Sequence, residues 1–170
     1  MQTMIPLNIN RRKVWLHTRQ ATSATKWHLV CDVDGVITDG KFHYSSEGKQ
    51  LKIFGSHDAD ALKANSFFDE ITFVSADERG FQISSKRVND MGFELRLRSP
   101  SERLQLIREL MVAANVIFIG DSFSDIPALV EATLSAAPKA SYPSARKAAD
   151  IKLRLRGGEG ALAELLHLFN

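Results

Sequence analysis

Apolar positions along the chain fall into continuous runs separated by amphipathic ones. The runs 27-WHLVCDV-33, 71-ITFVSA-76 and 116-VIFIG-120 are short and rich in β-branched or aromatic residues, the pattern of strands buried on both faces. Shorter strands are predicted at 133-TLSAA-137 and, as an alternating edge strand, at 93-FELRL-97; 151-IKLRL-155 is a last strand or extended segment. Between them lie helical patterns. The segment 58-DADALKANSFF-68 has Asp58 or Asp60 as a leading acid or cap, and residues 79–91 form a helix closed by Gly92. In 99-SPSERLQLIRELMVAA-114 Ser99 caps, Pro100 takes the first helical position and Glu102 completes a capping box. Further helices are predicted from about Asp125 to Glu131, over 143-PSARKAAD-150, and over 161-ALAELLHLF-169 after the break at Gly157, Gly158 and Gly160. One segment keeps a different rhythm: 41-KFHYSSEGKQLKIF-54 reads as a β-hairpin turning at Ser46-Glu47-Gly48. Strands alternating with helices, the strands apolar throughout, imply an α/β fold, a doubly wound parallel sheet covered on both faces, with the hairpin projecting from it and no separate cap domain.

Composition narrows the classes. The chain has 170 residues, enough for one domain with a substantial core, and its 44% hydrophobic and 25% charged residues are ordinary for a globular protein. A formal net charge of +2 gives no basis for binding nucleic acid or an anionic membrane. No apolar run approaches the roughly 20 residues of a membrane-spanning helix. The single cysteine, Cys31, excludes an internal disulfide and fits a reducing compartment, so the cytoplasm is expected. The first 31 residues contain no Asp or Glu, whereas Arg11, Arg12, Lys13, Arg19 and Lys26 are basic. Residues 1–26 are therefore read as a basic extension lying on the domain or on a neighbouring subunit, followed by one domain over 27–170. Arg11, Arg12 and Lys13 are most simply a solvated turn, and Trp15 and Trp27 packing residues.

The candidate chemistry sits in 29-LVCDVDGVITDG-40, where Asp32 and Asp34 close a buried strand. In parallel α/β sheets ligands bind beyond the carboxyl ends of the strands. Residues i and i+2 share a strand face, so both carboxylates can enter one cleft, and Asp121 of 120-GDSFSD-125 can join them. Crowded carboxylates raise one another's pKa values unless a cation is bound. A hard cation such as Mg²⁺ takes oxygen ligands and bridges to phosphate. Acids after strands also serve as caps or solvated loop residues, and Asp39 and Asp58 are read that way.

Taken in order, DVDGVITDG, SSEGKQLK, IGDSFSDIPAL, LSAAPKA, AAD and GGEGA resemble the haloacid dehalogenase superfamily. More narrowly they resemble its small capless branch, the 3-deoxy-D-manno-octulosonate 8-phosphate phosphatases and related sugar-acid phosphate phosphatases, from about Val30 to Phe169. The resemblance implies Asp32 as nucleophile forming an aspartyl-phosphate and Asp34 as general acid, then base. It also implies Mg²⁺ held by the Asp32 carboxylate, the Asp34 main-chain carbonyl and Asp121, with Asp125 supporting that shell. Ser75 matches the family's phosphate-binding Ser/Thr, and Arg103 stands where the family has its phosphate-binding lysine. Hairpins of several subunits would pack together, giving a homo-oligomer, a tetramer, with Phe42, Tyr44 and Ile53 near the contact. The other reading of the hairpin is a monomer with that element loose.

Three departures bear on the substrate. Ala76 and Asp77 replace the usual Gly-Arg after Ser75, and an aspartate beside a phosphate dianion repels it unless it points away. Arginine replaces lysine at 103, with a different geometry toward phosphate. His57 and Ala163 occupy places where the family commonly has arginines; His57 is read as a surface histidine rather than a substrate ligand. The leading function is a Mg²⁺-dependent phosphomonoesterase for a small phosphorylated metabolite of the sugar-acid phosphate type. The alternative is a catalytically impaired relative serving assembly or regulation. A phosphoacceptor receiver domain is disfavoured by the DxD pattern and the hairpin.

Overall fold

The structure is a computed structural model and describes residues 26–169. Most of the basic extension, with Arg11, Arg12, Lys13, Trp15 and Arg19, lies outside the described residues. Eight strands are present: β1 Trp27–Asp32, β2 His43–Ser45, β3 Gly48–Leu51, β4 Glu70–Ser75, β5 Leu95–Leu97, β6 Asn115–Ile119, β7 Leu134–Ala137 and β8 Ile151–Lys152. The helices are α1 His57–Lys63, α2 Phe81–Asp90, α3 Pro100–Leu110, α4 Ile126–Glu131, α5 Pro143–Ala148 and α6 Ala161–His167, with a 3₁₀ turn at Phe123–Asp125 before α4.

Six strands form a parallel sheet in the order β5-β4-β1-β6-β7-β8. The apolar runs dictate this arrangement. Every residue of β1 is buried, which requires a strand covered on both faces. Alternation then sorts the core. Leu29, Cys31, Phe73, Ile117 and Ile119 pack on one face with Leu62 of α1, Val88 of α2 and Leu162 and Leu165 of α6. Val30, Val74, Val116 and Phe118 pack on the other with Leu106 and Ile107 of α3, Ala128 and Leu129 of α4 and Ala145 of α5. Fully buried side chains such as Phe73 and Phe118 each contribute about 1.5–3 kcal/mol through removal from water. The chain leaves β1 for β4 and β5 on one side, then returns to β6 on the other. This reversal opens a crevice beside the carboxyl end of β1, where open α/β sheets bind their ligands.

The doubly wound sheet, the edge position of β5 and the hairpin β2–β3 agree with the sequence pattern, as does the capping box. The Ser99 side chain accepts from the Glu102 N–H, and a Glu102 carboxylate oxygen accepts from the Ser99 N–H at 2.8 Å. Trp27 is a packing residue, buried against Phe67.

Two expectations are corrected. The helix predicted over 58–68 stops at Lys63, because Asn65 Oδ1 accepts the N–H groups of Phe67 and Phe68 at 3.3 and 3.2 Å. An Asn side chain that binds the backbone just ahead of it offers the chain a turn in place of another helical turn. Asp58 is neither a cap of its own helix nor solvated. It is buried, and one oxygen accepts the N–H of Ala163 at 2.9 Å. It therefore satisfies an orphan donor in the first turn of α6, 105 residues away in sequence. Burial pushes its carboxyl pKa up, against the lowering effect of the Ala163 N–H. Asp39 behaves as the loop residue expected, accepting the Lys41 N–H at 3.0 Å.

Candidate active site

The site begins where β1 ends. The Val33 carbonyl accepts N–H groups from Val36, Ile37 and Thr38 at 3.2, 3.0 and 3.2 Å, turning the chain sharply after the strand. Gly35 lies in this turn at φ +81°, and a Cβ there would stand 1.9 Å from Asp121 Oδ2. Glycine is thus required twice over, for the backbone conformation and for the approach of Asp121. The turn rests on the loop before α6: the Gly158 N–H reaches the Val36 carbonyl at 3.2 Å. A Cβ on Gly157 would meet the Gly35 carbonyl oxygen at 2.0 Å.

The second wall comes from the loop after β6. Asp125 is fully buried and one of its oxygens collects three donors: the Asp121 N–H at 3.1 Å, the Ser122 N–H at 2.9 Å and the Ser122 hydroxyl at 2.8 Å. Its other oxygen is bonded by Arg103 of α3, whose second terminal nitrogen lies 3.2 Å from Asp32 Oδ1. Arg103 therefore braces the two loops together from below. Burial opposes its charge, yet Asp32 and Asp125 hold its pKa above the usual arginine value.

Oxygens of Asp32, Asp121 and Asp125 all lie within 4.8 Å of one another. Burial, with Arg103 opposing and the neighbouring carboxylates adding, pushes Asp32 well above the usual carboxylate range. Burial and the charges of Asp125 and Asp34 raise Asp121 to about 7. An all-oxygen donor set of crowded acids fits a hard divalent cation. Asp125 has its oxygens engaged by N–H and O–H donors and by Arg103, which suits it to holding the loop.

The third wall is the end of β4. The Ser75 hydroxyl donates to Asp34 Oδ2 at 3.3 Å and accepts the Asp77 N–H at 3.1 Å. Asp32, Asp34, Ser75, Asp77, Arg103 and Asp121 all line one cleft of about 300 Å³, so the residues predicted from sequence converge. His57 and Ala163 lie apart from it: His57 is exposed at the start of α1, and Ala163 lies in α6.

Sequence reasoning missed the hairpin's contribution. Phe42 and Lys49 line the cleft, and the buried Lys52 reaches both oxygens of Asp34 at 2.8 and 2.9 Å. Asp77 does not stand bare at the cleft. Lys49 approaches it at 2.5 Å and Lys52 at 2.8 Å, and these two overcome partial burial to hold its pKa below the usual carboxylate value. The signal available was two lysines, three residues apart, in the one element expected to project over an acidic cleft.

No family model matches the chain. Among curated proteins it is similar to the 3-deoxy-D-manno-octulosonate 8-phosphate phosphatase KdsC of Haemophilus influenzae, 32% identical over 143 residues, covering 81% of this chain and 78% of that protein. Among solved structures it is similar to the cobalt-bound deoxy-D-mannose-octulosonate 8-phosphate phosphatase of the same organism. The TM-score is 0.68 at 25% identity, covering 86% of this chain and 87% of that one. The fold also matches the phosphatase of Moraxella catarrhalis solved with magnesium, phosphate and KDO, with TM-score 0.71, 23% identity and 86% of each chain covered.

Proposed function

The chain belongs to the KdsC-like phosphatases of the haloacid dehalogenase superfamily, and from that premise we propose that it hydrolyses a sugar-acid phosphate with the help of Mg²⁺, through a phosphorylated Asp32. The observation that carries this reading is the convergence of Asp32, Asp121 and Asp125 within 4.8 Å at the carboxyl ends of β1 and β6, with Asp34 and Ser75 opening into the same cleft.

Each residue then has a task. An Asp32 oxygen attacks phosphorus and the bond from phosphorus to the sugar oxygen breaks, while Asp34 gives its proton to that oxygen. Water next attacks phosphorus as Asp34 takes its proton, the Asp32 carboxylate is released, and inorganic phosphate leaves. Ser75 donates to a phosphoryl oxygen. Arg103 orients Asp32 and adds positive charge behind the phosphoryl group. The cation would be held by the Asp32 carboxylate, the Asp34 main-chain carbonyl and Asp121, with Asp125 fixing the loop. It would supply charge neutralisation for a dianionic substrate. Charge in and behind the cleft supports the need for it: five carboxylates (Asp32, Asp34, Asp77, Asp121 and the buried Asp125) meet three cations, Lys49, Lys52 and Arg103. A relative of the same family holds cobalt, and the hard oxygen donors favour Mg²⁺ here. The ion pairs on Asp77 remove the main physical reason for reading the chain as an inactive relative.

The test is a panel of phosphorylated sugars and sugar acids assayed with Mg²⁺ and with a chelator. Cation-dependent release of phosphate, strongest for sugar-acid phosphates, is the expected result. Turnover that survives the chelator, or that favours non-sugar esters, would overturn the reading.

We also propose a homotetramer. Phe42, Tyr44, Leu51 and Ile53 are exposed on the hairpin, and a two-stranded ribbon is marginal in stability alone. Packing hairpins together would bury these residues and roof each cleft with a neighbour's chain. Light scattering at micromolar concentration should give four times the chain mass, and Tyr44→Glu should lower it; a monomeric mass for the unaltered protein removes the proposal. Among the described residues no helix is long and apolar enough to cross a membrane. A cytoplasmic location, in keeping with the free buried Cys31, is part of the same proposal.

A further inference from the structure

Lys52 is the hairpin residue that binds Asp34. It follows β3 directly, and its side chain is wholly excluded from solvent. An ammonium has three donors and no acceptor, and here three groups surround it: Asp34 at 2.8 Å, Asp77 at 2.8 Å and the Ser84 hydroxyl of α2 at 2.7 Å. Asp77 also binds Lys49 and caps the loop before α2 by accepting the Gly80 N–H at 3.2 Å. Asp34, by contrast, is held by two side chains, Lys52 and Ser75, the latter at the longer distance of 3.3 Å.

From this geometry we infer that Lys52 is the positioning residue for Asp34: anchored by Asp77 and Ser84, its ammonium fixes the direction in which the Asp34 carboxyl faces the leaving group. The inference rests on the role given to Asp34 above. A group that moves a proton to a departing oxygen must be held within a few tenths of an ångström of its productive position. Asp34 stands on the turn after β1, and its side chain can rotate about χ1 and χ2. Lys52, 2.8 and 2.9 Å from the two Asp34 oxygens, restricts those rotations. The same arrangement gives Asp77 its purpose. In place of an arginine toward the substrate, this chain carries an acid that holds the lysine, so the hairpin and the catalytic turn are tied within one subunit. Without the docked hairpin the ammonium is withdrawn and Asp34 loses its stop.

The experiment uses aryl phosphates of graded leaving-group acidity, from 4-nitrophenyl to phenyl phosphate, on the full chain with Mg²⁺. Asp34→Asn should lower kcat far more for phenyl phosphate than for 4-nitrophenyl phosphate, since the poorer leaving group needs the proton. Lys52→Met should steepen the series in the same direction, with a loss at least roughly tenfold greater for phenyl phosphate. In an Asp34→Asn background the same change should add less than about twofold, because groups acting as a unit are not additive. Ser84→Ala, which removes one anchor and leaves the charges in place, should show the same trend more weakly. Affinity for orthovanadate reports an intact phosphoryl site in each variant. A uniform loss across the series for Lys52→Met, or full additivity with Asp34→Asn, overturns the inference and leaves the Asp34 role standing. A flat series for Asp34→Asn itself overturns that role and this inference with it. Should Lys52→Met fail to fold, a flat series for Ser84→Ala is the overturning result.

Discussion

Asp32→Asn is expected to lower turnover by roughly 10⁴-fold or more while leaving the fold intact. A carboxamide oxygen is too weak a nucleophile to form the acyl phosphate, and no neighbour in the cleft is placed to replace it. Asp125, buried beside it, is tied to the Asp121 and Ser122 N–H groups and to Arg103. The substitution is also structurally mild. An Asn oxygen at this position still accepts from Arg103, which lies 3.2 Å from Asp32 Oδ1. It removes one charge from a set that burial already drives toward the neutral form. Thermal melting without divalent cation should therefore hold or rise relative to the unaltered protein, while single-turnover release from 4-nitrophenyl phosphate disappears. Retained turnover would place the nucleophile elsewhere.

Added Mg²⁺ should raise the melting temperature, and by more as pH rises. Asp121 carries the sign. Its pKa in the folded protein is raised from 3.8 to about 7 by burial and by Asp125 and Asp34. A group with a raised folded pKa contributes stability that is full below its unfolded value and lost as pH climbs through the folded one. The cation-free protein should lose stability between about pH 4 and pH 7. A bound dication replaces the proton, so its stabilising effect grows over that window and levels off above it. A cation at about 100 times its dissociation constant stabilises by about 2.7 kcal/mol, a shift of about 5–10 °C for a chain of this size. Asp121→Ala should abolish both the shift and its pH dependence. Scanning calorimetry at pH 5 and pH 8, with and without Mg²⁺, reads both. An undiminished shift in Asp121→Ala would place the cation outside this cluster.

The sheet was legible because β1, β4 and β6 are written as largely apolar runs, the pattern of strands buried on both faces. The acids at their carboxyl ends were legible for the complementary reason: nothing in packing accounts for a carboxylate there. What escaped were pairings between residues far apart in sequence. Lys52 and Asp34 are 18 residues apart, Lys49 and Asp77 are 28 apart, and Asp58 meets Ala163 across 105. No periodicity records such contacts. Asp77 shows the consequence: alone it is one more negative charge at an acidic cleft, and only the folded hairpin supplies the two lysines that neutralise it. The end of α1 failed for a local reason, since the Asn65 turn competes with a helix on equal terms until Phe67 and Phe68 pack.

The contact of Gly157 and Gly158 with the turn after β1 also has a consequence in time. The turn after β1 leaves the ribosome about 120 residues before the segment it packs on does. At about 5–20 residues per second this is an interval of roughly 6–24 s. During that interval Asp32 and Asp34 have been synthesised, yet the turn after β1 lacks the Gly157–Gly158 segment it packs on. The turn after β1 therefore gains its packing partner only when the GGEG segment has emerged, so its final conformation is set late in synthesis.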